Sequence, residues 1–379
     1  MIPFSVPKME IRVIIPCYNE LDIFSTIESL FACEKNNFPV EIIVVVNSYE
    51  ISSLEIIELN RKTFRDLQEY ARINNLSDFC LSPILEENLS GHQTGAGFPR
   101  KIGMDKAAEL FQKEGEQDGI IVSLDADTVV KKNYLSEIYH SFKKYKLKSA
   151  TIEFHHPVEH LDENDEIRKA TEVYEEYLRY YRAALEYIGY PYAYYTIGSA
   201  FAVTAETYRQ VGGMGKQQAG EDFYFLQKVF PLGKTKFLRT TKVYPSARIS
   251  DRVPFGTGPA IAKMIEEKEL RKLSYQVKAF SELKSFFFQV DSFFKLSKEE
   301  IKIACLEFPK HLQQFLQEDN FPDKMGEINQ NTGNLMNFKK RFFGYFTAFK
   351  ILKYLNFVHP SIYELTDVKE EYAILKEMN

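Results

Sequence analysis

Apolar residues in the first half of the chain fall in short β-branched runs separated by stretches of helical periodicity. Residues 11–16 (IRVIIP) read as a strand, and the ELDIFSTIESLFAC that follows carries apolar positions at helical spacing. Residues 40–47 (VEIIVVVN) are apolar almost throughout, the pattern of a strand covered on both faces of a parallel sheet. PRKIGMDKAAELFQKE predicts another helix and GIIVSLDAD a third buried strand. A β-α-β-α-β order of this kind predicts an α/β fold, an open doubly wound sheet with right-handed crossovers. Ligands of such sheets gather at the carboxyl ends of the strands, near a topological switch point. Three polar clusters occupy those ends: CYNE, NSYE and DAD.

The middle of the chain changes pattern. DENDEIRKATEVYEEYLRYYRAALEYIG predicts one long helix opened by acidic residues, as its dipole favours. A strand is expected around 196–203, a stop at Gly212 and Gly213, a helix starting at the acidic pair of AGEDFYFLQKVF, and a β-like segment in KTKFLRTTKVYPSARIS. Beyond the Pro/Gly-rich DRVPFGTGP the pattern is helical to the end. The expected division is therefore a first domain over 1–258 and a helical C-terminal region over 259–379.

Composition narrows the class. Of 379 residues, 45% are hydrophobic and 27% charged, which suits a soluble globular protein with room for two structural units. A net charge of −5 provides no basic field for nucleic acid. Cys17, Cys33, Cys80 and Cys305 are far apart and show no C-x-x-C spacing, which argues against a zinc ribbon or disulfide scaffold and fits a reducing compartment. The N-terminal residues lack the apolar run and cleavage site of a signal peptide, and no segment approaches the roughly 20 apolar residues of a membrane helix. The expected location is cytoplasmic.

Asp125 and Asp127 lie two apart at a strand end, where alternate side chains point the same way. Two close carboxylates repel unless a cation neutralises them. A hard divalent ion, Mg²⁺ or Mn²⁺, takes one or two carboxylates plus substrate phosphates. Taken alone, the pair also reads as an acidic turn. Glu221 and Asp222 likewise read either as a helix start or as a second acidic centre. Arg248 and Arg252 precede Gly256 and Gly258 in a loop that suits a diphosphate or serves as a plain linker. His155 and His156 are neighbours on a strand and point to opposite faces, which favours packing over a metal site with His160. The tyrosines of YPYAYYTIGS, just before Gly198, suit either a sugar face or the core. Residues 338–355 (FKKRFFGYFTAFKILKYL) are aromatic and basic without an acidic residue, the pattern of an anionic-membrane contact or of a core helix with solvated lysines.

In order along the chain, VIIPCYNE, GFPRKIGMDKAA, SLDADTVVKKNYL and GEDFYF resemble the motifs of family 2-type glycosyltransferases, over roughly residues 11–230. The resemblance implies a GT-A fold: a Rossmann-like, mostly parallel doubly wound sheet with a small mixed sheet, here followed by the helical C-terminal region. It implies that Pro16, Tyr18 and Glu20 line the base and ribose of a nucleotide-diphospho-sugar donor. Asn47 stands where the family usually carries Asp, facing the base; an amide offers a donor and an acceptor but no charge. Arg100 and Lys101 would approach the diphosphate, although the family's following Asn-x-Gly is Ile102-Gly103 here. Asp125 would meet the ribose or the metal, and Asp127 the metal, Mn or Mg. In inverting members the second carboxylate of the late acidic pair is the general base, which falls on Asp222, next to Glu221. Arg248 and Arg252 would close on the donor, without the Q-x-x-R-W form of processive relatives. The implied reaction moves a sugar from a UDP-sugar to the hydroxyl of a saccharide or lipid-linked acceptor with inversion. Two rival readings stay open: a retaining transferase on the same fold, and a catalytically silent sugar-nucleotide-binding scaffold subunit, to which the departures at Asn47 and Ile102 point.

Overall fold

In the computed structural model, which describes residues 8–34, 37–90, 95–215, 220–248 and 256–378, the first two apolar runs become the paired centre of a sheet. Strand β1 (Ile11–Cys17) is buried along its whole length and pairs in parallel with β2 (Val40–Tyr49), Ile11 opposite Val40 through Cys17 opposite Val46. Between them runs α1 (Ile23–Phe31). After β2 come α2 (Leu54–Asn74), β3 (Phe79–Leu89), α3 (Gly97–Glu114), β4 (Ile120–Ser123), β5 (Thr128–Val130), α4 (Tyr134–Tyr145), β6 (Ser149–Phe154) and α5 (Glu166–Tyr187). The chain continues through β7 (Phe201–Thr204), α6 (Ala205–Gln210), α7 (Glu221–Val229), β8 (Thr235–Pro245) and α8 (Thr257–Glu266).

Among the described residues, the strands form one eight-stranded sheet in the order β3-β2-β1-β4-β7-β6-β8-β5. The first four are parallel; β7 runs antiparallel to both β4 and β6, β6 is parallel to β8, and β5 is antiparallel to β8. The mixed part expected as a small separate sheet thus continues the parallel one. From β1 the chain moves outward through β2 and β3, then returns to β4 on the other side of β1. The switch point, and with it the crevice that binds ligands in such sheets, lies between the carboxyl ends of β1 and β4.

A proline marks that opening. Ile14 accepts the Leu124 N–H at 3.0 Å, just beyond the end of β4. Pro16, two residues on, faces the same way, past the last paired residue of β4. Its missing N–H costs no ladder bond there, which is the condition under which a central strand tolerates proline.

The edge strand β3 and the helix α2 were not separate elements in the sequence pattern. β3 is half-buried, carries Pro83 and has Glu86 and Glu87 near its end, so it lacks the apolar run that gave away β2. The strand expected around 196–203 starts later, at Phe201.

The chain divides into two compact units, Met1–Glu163 with Thr196–Ala262, and Asn164–Tyr195 with Lys263–Asn379. The composition change near Gly258 lies close to the second division. Asn164–Tyr195, which holds the long acidic-capped helix α5, belongs instead with the C-terminal part. The second unit adds α9 (Val277–Phe288), α10 (Lys298–Cys305), α11 (Lys310–Glu318), α12 (Phe321–Gln330), α13 (Leu335–Tyr345), α14 (Ala348–Val358) and α15 (Val368–Glu377), with β9 (Leu273–Ser274) antiparallel to β10 (Thr366–Asp367). Its core gathers aromatic rings around the fully buried Phe286, with Phe293, Phe308, Phe321, Phe342 and Phe346 all in ring contact. Glu282 accepts from His311 Nε2 at 2.8 Å and from the hydroxyls of Tyr354 and Tyr363 at 2.5 Å each. The basic aromatic stretch breaks into α13 and α14; its Phe338, Phe342, Phe343 and Phe346 are core, while Lys340, Arg341 and Lys353 are exposed. No helix among the described residues is long and apolar enough to cross a membrane.

The helix that delivers Arg100 to the site lies directly on this sheet. A side chain at Gly103 of α3 would overlap Ile14 and press on Val45. Gly103→Val should lower stability by about 1–3 kcal/mol through overpacking, read from the urea midpoint with an unchanged m-value.

Candidate active site

The DAD sequence forms a turn. Strand β4 ends at Ser123, and the Thr128 N–H closes back on the Asp125 carbonyl at 3.2 Å. Thr26 Oγ1 of α1 donates to the Ala126 carbonyl at 2.9 Å, and the Ser246 N–H, just after β8, donates to the Asp127 carbonyl at 3.1 Å. Three elements therefore fix the turn at the carboxyl edge, next to the switch point. The strand geometry that would aim both carboxylates at one partner does not apply, and each aspartate pairs with a different arginine.

Asp125 belongs to a centre built on Arg100, in the first turn of α3. Arg100 is only 2% exposed. Its Nη2 donates to Asp125 and its Nη1 to Glu221, the first residue of α7. Gly198 is packed against the guanidinium, and a Cβ at this position would come within 2.8 Å of Arg100 Nη2. Ser123 Oγ donates to the Gly198 carbonyl at 2.6 Å and holds that segment in place. On the other side, α7 starts from Gly220 at φ 70°, a left-handed conformation that glycine adopts without strain. The buried guanidinium thus joins two carboxylates from distant segments. Its neighbour Lys101 turns to Asp105 at 2.6 Å, and the same Asp105 accepts from the Tyr208 hydroxyl at 2.6 Å.

Asp222 stands next to this centre. Burial and the neighbouring Glu221 charge push its carboxyl up from 3.8 to about 7, against the opposing pull of Arg100 and the Phe223 N–H, with Asp125 adding to the rise. The Phe223 N–H donates to Asp222 Oδ1 at 2.7 Å. The arrangement provides a carboxyl that changes charge near neutrality, at a helix start, beside two carboxylates anchored by one arginine.

Asp127 belongs to a second centre. Arg248 donates to Asp127 Oδ2 at 2.9 Å and to Glu20 through both guanidinium ends, one of them at 2.9 Å. Glu20 is nearly fully buried, whereas Arg248 is 36% exposed. The hydrogen bond to Glu20, ahead of the cost of burial and the Asp127 charge, raises the guanidinium further above its ordinary value. Arg252 lies outside the described residues. Tyr18 is half-buried, with its hydroxyl 3.3 Å from Ser52 Oγ and its ring 5.0 Å from that of Tyr49. Pro16 and Asn47 are buried within β1 and β2, and the Asn47 side chain reaches no solvent. Tyr18 is thus the more open member of the set that the resemblance assigns to base and ribose.

A residue not singled out from the sequence holds this end of the sheet together. Asn60, on the buried face of α2, accepts from the Asn19 N–H at 3.0 Å and donates to the Asn47 carbonyl at 2.8 Å and to Ser48 Oγ at 3.1 Å. It ties the CYNE loop to the end of β2. The signal in the sequence was a single amide on the otherwise small or apolar buried face of that helix.

For a divalent ion, the two aspartates differ. No group of three or more His, Cys, Asp or Glu is arranged to hold a metal among the described residues. Asp125 is held by a buried arginine. Both aspartates are partly exposed, Asp125 at 36% and Asp127 at 24%; what separates them is the arginine each one meets, fully enclosed for Asp125 and about one-third exposed for Asp127. His156 is buried and His155 lies 2.5 Å from Glu159, the packing arrangement expected for these histidines.

The raised carboxyl has a signed consequence. Between about pH 4 and pH 7 the folded chain keeps a proton on Asp222 that the unfolded chain has released, so stability falls as pH rises through that window. Asp222→Asn should remove this part of the decline, seen as a flatter dependence of unfolding temperature on pH between 4 and 8. In wild-type protein, ¹³C NMR of labelled aspartate carboxyls should show one titration near pH 7 that the variant lacks.

No protein-family model matches the sequence, and no curated protein matches it either. Among solved structures, the chain is similar to S. aureus TarS residues 1–349 in complex with UDP-GlcNAc, at 13% identity over 85% of this chain and 92% of that one, with a TM-score of 0.45. The same TarS fragment in complex with UDP gives 14% identity over the same shares, with a TM-score of 0.41. GalNAc-T7 with UDP, GalNAc and Mn²⁺ gives 13% identity over 82% of this chain and 54% of that chain, with a TM-score of 0.40. These are distant likenesses, and the roles of individual residues rest on this chain's own geometry.

Proposed function

We propose that the first unit is a glycosyltransferase that moves a sugar from a nucleotide-diphospho-sugar, a UDP-sugar, to an acceptor hydroxyl with inversion. The observation that carries this reading is the meeting of two distant acidic segments, DAD and GED, through Arg100 at the carboxyl edge, with Asp222 poised to change charge near neutrality. A general base for a hydroxyl needs that property. Asp222 takes the proton of the acceptor hydroxyl as its oxygen bonds to the anomeric carbon from the face opposite the diphosphate. The bond from that carbon to the diphosphate oxygen breaks and its electron pair leaves with the nucleotide. A retaining course would give the raised carboxyl of Asp222 no such task.

Arg248 is the partly exposed cation of this site; paired with Glu20 and Asp127 it is over-neutralised, so it would meet a diphosphate by turning from Asp127. Asp127 would hold a divalent ion, Mn²⁺ or Mg²⁺, which when bound neutralises charge on the departing diphosphate. Tyr18 would stack on the nucleotide. The acceptor is a saccharide or a lipid-linked saccharide; in the latter case the exposed Lys340, Arg341 and Lys353 would meet an anionic membrane.

Thermal-shift screening with UDP-, GDP- and dTDP-sugars, with and without Mn²⁺, should give the largest stabilisation with a UDP-sugar and metal. With that donor, Asp222→Asn should lower turnover about 10²–10⁴-fold while donor binding persists; a variant with unchanged turnover would sink the base assignment. EDTA should abolish turnover, and Mn²⁺ or Mg²⁺ should restore it; activity untouched by EDTA would exclude the metal from the reading.

A further inference from the structure

Sequence resemblance places Arg100 on the donor diphosphate, but three observations place it elsewhere. The side chain is 2% exposed. Both terminal nitrogens are engaged, one by Asp125 and the other by Glu221. Gly198 lies so close that even a methyl group there would reach within 2.8 Å of the guanidinium. To touch a phosphate, Arg100 would have to abandon two carboxylates and leave them facing each other.

We propose that Arg100 is a positioning residue that binds no part of the donor and acts by fixing Asp125 and Glu221 to the two ends of one rigid guanidinium, which sets where α7 begins. The inference rests on the transferase reading above, since its consequence is the location of Asp222. Asp222 is the residue after Glu221, so any shift of Glu221 relative to the DAD turn moves the base relative to the donor. A planar fork with donors on both sides suits this task and a lysine does not: an ammonium can neutralise both partners but cannot hold them at a set spacing. Gly198 belongs to the same device, since its missing side chain is what lets the fork lie flat between the two acidic segments.

The test separates positioning from donor binding. With UDP-GlcNAc and Mn²⁺ as the probe, Arg100→Gln should lower kcat by about 100-fold, the scale of a misplacement on the order of 1 Å. UDP affinity measured by calorimetry should stay within about threefold of wild type, as uniform binding is untouched. Arg100→Lys should recover only part of kcat. Gly198→Ala keeps every charge and displaces the guanidinium, so it should reproduce the kcat loss with UDP affinity retained, and it decides the matter if Arg100→Gln does not fold. An Arg100→Gln protein that loses UDP affinity tenfold or more while kcat holds would return Arg100 to the diphosphate and overturn the proposal. The two readings fail separately: unchanged turnover in Asp222→Asn refutes the base, whereas the Arg100 and Gly198 variants refute only the positioning role.

Discussion

The geometry of the crevice depends on one buried ion bridge. Arg100 enters from the first turn of α3 and joins the turn after β4 to the first residue of α7, segments that the sequence separates widely. Burying a charge costs several kcal/mol unless it is paired with good geometry, and here each terminal nitrogen meets an anionic oxygen. The cost of leaving any one member alone is what keeps all three in register. Strand β4 supplies the floor, Gly198 the clearance, and the left-handed Gly220 the sharp entry into α7.

Two arginines thus gather four carboxylates, and they differ in access. Arg100 is enclosed and its partners are fixed. Arg248 is about one-third exposed and holds Glu20 together with Asp127 at the crevice mouth. Glu20 is almost fully buried, so breaking its bond to Arg248 would strand a charge, and the outer centre is open mainly on its Asp127 side.

Much of this was legible in the sequence, and the gaps have physical causes. β1, β2 and β4 announced themselves because central parallel strands are apolar on both faces. β3 did not, since an edge strand with Pro83 and a glutamate-rich end carries no such run. The acidic clusters DAD and GED were visible as clusters, but their separation into two arginine-centred groups was not. Residue spacing along a strand predicts a shared direction, and only the turn fixed by Thr26 and Ser246 shows that the strand had already ended. Motif order placed Arg100 near the acidic segments but said nothing about its burial or about the two carboxylates it joins. Asn60 was missed because a lone amide on a buried helix face does not name its partners, which are mostly backbone groups of other segments.

Pro16 has a consequence for where the sheet opens. Any other residue there would carry an N–H facing the chain just past the end of β4, and the parallel ladder could gain a further bond. Proline has none to give, so the pairing of β1 with β4 stops at Ile14 and Ser123, and the turn that carries Asp125 and Asp127 is left to be shaped by Thr26 and Ser246 in place of the sheet.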